Sequence, residues 1–193
     1  MYILCDTCSV LMLIRIAPDM FIDKKYECVT ISDVVKEIFR TQKFKNKYPW
    51  RKRYKSKIKP LSNPILRTNE FTLYYQANRS LIAEGVINRK TELYFDLSLV
   101  DQKIIACAQA NTFRITTGDN DLIEYYLQQC SNNPDEIISP LGMINIWLKK
   151  GLILWGEKQQ IILEDWKKCD EAPQPRTEIK KFKTLTGYNY AGT

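Results

Sequence analysis

The first fourteen residues, MYILCDTCSVLMLI (1–14), decide how the chain is read. YILC (2–5) is an apolar run that predicts a buried strand ending at Asp6, and CSVLMLIRI (8–16) is apolar and helical in character until Pro18 stops it. A strand that passes straight into a helix, with an acid at the joint, begins a βα unit. Cys5 and Cys8 flank that acid with Cys-x-x-Cys spacing, which suits a thiol redox site or zinc. The other four cysteines, Cys28, Cys107, Cys130 and Cys169, are scattered, so there is no second closely spaced pair to complete a zinc site. Cys5 lies inside an apolar run, where a thiol is inert. The acid, not the thiols, is then the informative residue of CDTC.

Outward from this unit, the same alternation continues. ECVTI (27–31) is β-branched, and Ser32 opens a helix over DVVKEIFRTQ (33–42) with apolar positions 34, 35, 38 and 39 on one face. NEFTLYYQANRSLIAEG (69–85) is helical and closed by Gly85, and SLVDQKIIACAQAN (98–111) carries apolar residues at 100, 104, 105 and 108. FRITT (113–117) predicts a strand, NDLIEYYLQQC (120–130) a helix and EIIS (136–139) a last strand. PLGMINIWLKKG (140–151) and GEKQQIILEDWKKC (156–169) follow as helices, and the polar, Pro-broken remainder to 193 is expected to be a loosely packed tail. Strands alternating with helices imply an α/β fold, an α/β/α sandwich around a central parallel sheet. The expected organisation is a body over 1–155, with a basic insertion at 43–60, and a helical C-terminal extension over 156–193. In such sheets the active site lies beyond the carboxyl ends of the strands.

Composition narrows the chemistry. The chain has 193 residues, 45% hydrophobic and 26% charged, as expected of an ordinary globular protein. No apolar run approaches the roughly 20 residues that span a bilayer. Asp6 interrupts the early apolar stretch and no basic region precedes it, so the start does not read as a signal peptide. The expectation is a cytoplasmic protein with free thiols and no membrane partner. There is no histidine, which removes Ser-His-Asp and Cys-His catalysis and histidine-ligated metals together. The net charge is +7, and nine of the 29 basic residues lie in KFKNKYPWRKRYKSKIK (43–59), leaving 20 elsewhere against 22 acids. That segment holds no acid. Lys47, Arg51, Lys52, Arg53 and Lys55 with Trp50 and Tyr54 suit a phosphate backbone with stacked bases. Mutual repulsion predicts that it is solvent-exposed and mobile.

Five acids fall where such a fold gathers its site. Asp6 ends the first strand, and Asp119 and Asp121 follow FRITT. Asp101 lies in the first turn of its helix, and Glu37 just over one turn into the helix after ECVTI. Each has a plain structural role available. Asp6 can serve a turn, Glu37 a solvated helix face, Asp101 a capping box with Ser98, Asp119 an N-cap, and Asp121 the helix dipole. Those roles explain each acid separately but not their joint placement. Unneutralised carboxylates in one cleft repel one another unless a divalent cation sits among them. Glu92 and Asp96 are lesser candidates.

On ILCDTCSVL, ISDVVKEI, SLVDQKIIACAQA and RITTGDNDL, in that order, the chain resembles the PIN-domain family of metal-dependent nucleases over most of 1–139. The resemblance implies that Asp6, Glu37, Asp101 and Asp119 are catalytic, metal-binding acids holding Mg²⁺ or Mn²⁺, with Asp121 as an auxiliary ligand. Thr7, Ser9 and Thr117 match small hydroxyl positions that orient acids or phosphates. Cys8 departs from the family, which often has Ser or Asn there, and the basic insertion lengthens the interval between Glu37 and Asp101. The implied activity is hydrolysis of RNA phosphodiester bonds to leave a 5′-phosphate and a 3′-hydroxyl. A single-domain protein of this kind is most similar to the toxin of a bacterial toxin–antitoxin pair. RNA, an antitoxin protein and a second copy in a homodimer are then the expected partners. Two alternatives stay open: a housekeeping or defence nuclease on RNA or DNA, and a non-catalytic RNA-binding module.

Overall fold

β1 (Ile3–Cys5), β2 (Cys28–Val29), β3 (Arg114–Thr116) and β4 (Ile137–Ile138) form one all-parallel sheet in the order β2-β1-β3-β4. The computed structural model describes residues 1–62, 66, 68–169, 171 and 174–190. Leu4 lies opposite Val29 on one side and Ile115 on the other, and it is fully buried. Parallel strands need crossover connections that cover the sheet, which is why β1, β2 and β4 read as short apolar runs, while β3 keeps only Ile115 apolar. The architecture is α/β, compatible with an α/β/α sandwich.

The strand order places the site. From β1 the chain steps outward to β2, then returns past β1 to β3 and on to β4. Right-handed crossovers therefore put α1 (Thr7–Leu13) on one face and the helices leading into and out of β3 on the other. The reversal falls between β1 and β3, and open parallel sheets bind ligands at the carboxyl ends of the strands at such a point. Asp6 and Asp119 follow those two strands.

α1 buries Ser9, Val10, Leu11, Met12 and Leu13, as a helix apolar all round must. α2 (Ser32–Arg40) buries Val34 and Ile38, one turn apart, and ends at Thr41, whose ψ of 126° is extended. The basic segment is thus no continuation of α2, since the helix stops at Thr41, and most of its cations are exposed as expected. It folds as α3 (Gln42–Lys47) and a 3-10 helix over Pro49–Tyr54. Tyr48 and Ile58 enter the core, and Phe44, Trp50 and Tyr54 pack against it. Burying these side chains outweighs the repulsion between cations that point outward.

α4 (Asn69–Ala83) and α5 (Leu99–Asn111) precede β3, and α6 (Asn120–Tyr125) follows it and continues into a π-helical turn over Tyr126–Cys130. α7 (Pro140–Lys149), α8 (Glu157–Lys168) and α9 (Arg176–Thr186) complete the order. The expected loose tail is instead a packed helix. Phe182 of α9 is fully buried edge-on to Trp155, with ring centroids 4.8 Å apart. Asn145 of α7 donates to the Glu178 carbonyl at 2.9 Å and to its carboxylate at 2.8 Å. In α8, Trp166 donates its indole N–H to the Met12 carbonyl at 3.2 Å. A single buried aromatic in eleven residues carries α9, too little apolar pattern to stand out in a polar sequence. The parts of the tail at 170, 172, 173 and 191–193 lie outside the described residues. Among the described residues no helix is long and apolar enough to cross a membrane.

Candidate active site

Asp6 follows β1 and is only 3% exposed. Its carboxylate caps α1 by accepting from the Ser9 N–H at 2.7 Å, and its second oxygen accepts the Thr117 hydroxyl at 2.5 Å. Thr117 in turn accepts from the Asp119 N–H at 2.9 Å, so one hydroxyl joins the ends of β1 and β3. Asp119 caps α6, accepting from the Asp121 and Leu122 N–H groups at 2.8 and 3.1 Å. Asp101 forms a capping box with Ser98: its carboxylate accepts from the Ser98 N–H at 3.0 Å and its own N–H donates to the Ser98 hydroxyl at 3.2 Å. On α2, Glu37 accepts a hydrogen bond from the Thr7 hydroxyl. The plain structural roles of Asp6, Asp101 and Asp119 are therefore real, and Thr7, Ser9 and Thr117 each donate to one of the acids.

The four acids also share a field. Burial pushes the Asp6 carboxyl up to about 7, against the hydrogen bonds from Thr117 and Ser9, and the Asp101 charge adds to the rise. Asp101 rises to about 6, first through burial and then through the charges of Asp119 and Glu37, against its bonds to Ser98. These couplings link all four carboxylates. Cys8 stands among them: burial first, then Asp6 and Glu171, hold its thiol well above the ordinary value. A thiol so held is a packing group, not a nucleophile. Gly118 makes room for it, since a methyl added there would lie 3.4 Å from the Cys8 sulfur.

Three acceptor atoms are left open. Among the described residues Glu37 Oε1, Asp101 Oδ1 and Asp119 Oδ2 accept no hydrogen bond, while their partner oxygens are held. Oxygen donors in mutual repulsion suit a hard cation such as Mg²⁺ or Mn²⁺ in kind. As they stand, no three acidic or thiol side chains among the described residues are grouped closely enough to hold one ion.

Asp121 has partners of its own. Its oxygens accept from the Asn88 amide and the Asp96 N–H, both at 3.2 Å, so it fastens the loop before α5. Glu92 and the exposed Asp96 belong to that loop, Glu92 in a left-handed conformation. The expected RNA-binding set also divides. Lys52, Arg53 and Lys55 are exposed, and Lys47 pairs with Glu171 at 3.4 Å. Arg51 is a correction. Only 2% exposed, it donates to the Ile38 carbonyl at 2.9 Å and to the Tyr48 carbonyl at 3.2 Å. Ile38 lies in the last turn of α2, where carbonyls lack helical partners and a cation is favoured. Trp50 lies under the Arg15 guanidinium, 5.0 Å from ring centre, and meets Tyr48 and Tyr54 edge-on. Its ring is engaged within the protein.

One residue near the cleft carried no sequence signal. Glu171, between α8 and α9, is almost buried and accepts from the Tyr48 hydroxyl and from the Cys8 thiol at 3.4 Å. It joins the C-terminal extension to the basic segment and to the first turn of α1. It sits in a polar stretch, and only the tertiary fold brings it inward. Compared with known proteins, the chain matches no family model, no curated protein and no solved structure.

Proposed function

We propose that this chain is a PIN-type, metal-dependent endoribonuclease. The observation that carries the reading is the set of four carboxylates, from the ends of β1 and β3 and from α2 and α5, electrostatically coupled at the point where the strand order reverses. Open sheets bind ligands at that point. Asp6, Glu37, Asp101 and Asp119 would hold Mg²⁺ or Mn²⁺. Such an ion, when bound, supplies Lewis acidity that eases deprotonation of water and stabilises charge on the phosphate oxygens. Thr117 and Thr7 orient Asp6 and Glu37, and the backbone N–H groups at the starts of α1 and α6 hold one oxygen each of Asp6 and Asp119. Lys43, Lys45, Lys52, Arg53, Lys55 and Lys59, exposed and without an acid partner among the described residues, supply positive charge for the RNA backbone. Within this reading the chain is the toxin half of a toxin–antitoxin pair.

The test is cleavage of total RNA with Mg²⁺, Mn²⁺ or EDTA. Metal-dependent products ending in 5′-phosphate are expected, and they vanish in EDTA. A second reading, a module that binds RNA without cutting it, is favoured by the absence of any three ligating groups already drawn together among the described residues. It requires RNA binding with no cleavage under any divalent metal.

A further inference from the structure

We propose that the open edge of β4 is a docking groove for an extended acidic segment of a partner protein, which adds to the sheet as a further parallel strand. This does not rest on the nuclease reading. β4 ends the sheet, so one side of it meets β3 and the other meets no strand. The Thr117 N–H donates to the Ile138 carbonyl at 3.2 Å, so the peptide groups of Ile138 turn towards β3. Successive residues of a parallel strand turn their groups to opposite sides, and those of Ile137 and Ser139 therefore face the open edge. The Ile137 N–H is spent on the Pro134 carbonyl, and the Ser139 carbonyl on the Met143 N–H at 3.0 Å. The Ile137 carbonyl and the Ser139 N–H have no partner among the described residues. One acceptor and one donor, two residues apart on the same edge, are what a single residue of an added parallel strand pairs with.

The edge lies in a groove. β4, α7 and α9 border a space of about 970 Å³ lined by Ile137, Ile138 and Ser139 on the strand and by Ile146 and Leu185 on the helices. Leu185 is 45% exposed, so the apolar lining is open to solvent. The two helices are tied together, since Asn145 donates to Glu178 and Phe182 packs on Trp155. The charges on the groove are Arg114, Lys149, Lys180 and Lys181 against Asp135 and Glu178. Glu178 is already paired with Lys181 at 2.6 Å. Lys149 and Lys180 are exposed and have no acid partner among the described residues. The surplus is positive, which selects an acidic occupant. A second copy of the chain would bring these same lysines against themselves. RNA would suit the lysines but has no amide backbone to continue the sheet. An extended peptide with acidic and apolar residues meets the strand edge, the lining and the charge together.

The experiment selects short random peptides displayed on phage against the full chain, with counter-selection on the Lys149→Glu, Lys180→Glu double variant. Enriched sequences should combine Asp or Glu with apolar residues. A labelled copy of the strongest, followed by fluorescence anisotropy, should bind the double variant about tenfold more weakly, and circular dichroism should show both proteins equally folded. Methylating the peptide's backbone nitrogens one at a time should weaken binding about tenfold at alternate positions and little between them, because only every second residue of a strand faces the edge. No enriched peptide, enrichment of basic sequences, equal binding to the double variant, or methylation without alternation overturns the proposal. So does labelled oligouridine that binds the parent and is lost in the double variant, which would assign the groove to RNA. A shift from dimer to monomer in sedimentation of the double variant overturns it as well, in favour of a second copy. RNA cleavage is read separately, so none of these outcomes decides the nuclease reading.

Discussion

The molecule has two charged regions, and they solve the same repulsion differently. The acids of the cleft are held by short links to backbone: Asp6 by the Ser9 N–H, Asp119 by the Asp121 and Leu122 N–H groups, Asp101 by the Ser98 N–H. Those links fix where the charges stand without neutralising them, and two of the carboxyls stay raised. The basic segment instead disperses its charge. Arg51 turns inward to cap α2, Lys47 and Lys57 pair with Glu171 and Asp19, and the rest face solvent over an aromatic cluster. Charge kept together by a scaffold is what the proposed site requires. Charge that the fold can spread marks a surface, and only its exposed members remain for a partner.

That contrast sets an order of expected effects. The largest belongs to the cleft. Asp6→Asn and Asp101→Asn should each reduce RNA cleavage to background while circular dichroism shows a folded protein, since asparagine can still cap a helix. Loss of folding in both would leave the acids with purely structural roles.

Next is Arg51. Replacing it with Gln leaves the Ile38 and Tyr48 carbonyls short of a buried donor, so denaturant unfolding should show a loss of about 1–3 kcal/mol. The same change at Lys52 or Arg53 should fall within about 0.5 kcal/mol. Equal stabilities would erase the distinction between the inward and outward members of the segment.

The third is a pH dependence. Asp6 is raised from 3.8 to about 7 and Asp101 from 3.8 to about 6, so the folded state keeps protons that the unfolded chain has lost. Their contribution is fully present below about pH 4 and falls as pH rises towards 7. The metal-free protein should therefore unfold more easily at about pH 8 than at about pH 5, by an amount on the order of a few kcal/mol. Asp6→Asn should flatten most of that slope. A slope unchanged in the variant would show that Asp6 is not the group responsible.

The smallest effect is on the surface. Lys52→Gln with Arg53→Gln should lower the log–log salt slope of RNA binding by about 0.7 per contact and leave single-turnover cleavage at saturating RNA nearly unchanged. An unaltered slope would place the RNA contact elsewhere.

The sequence was legible where local chemistry and fold agree. ILC and RIT form two of the parallel strands, so the apolar run ending in Asp6 and the β-branched run ending in TGD mark both strand ends and two acids at once. Ser98 and Asp101 announce their helix start by spacing alone. Legibility failed where tertiary contacts override charge. Nothing local to PWRKRY says that Arg51 points inward while its neighbours point outward, because its acceptors are carbonyls of Ile38 and Tyr48. Nothing local to GDND says that the oxygens of Asp121 meet a loop more than twenty residues away in sequence. Glu171 and the packed α9 were hidden in polar sequence for the same reason.

The central claim is that Asp6, Glu37, Asp101 and Asp119 form one cation site. Anomalous diffraction from a crystal soaked in Mn²⁺ tests it most directly. A manganese peak is expected among these four carboxylates, bound through the open oxygens of Glu37, Asp101 and Asp119 with Asp6 beside them, and lost in Asp101→Asn. Manganese bound only elsewhere, with these four side chains unmoved and unliganded, would contradict it.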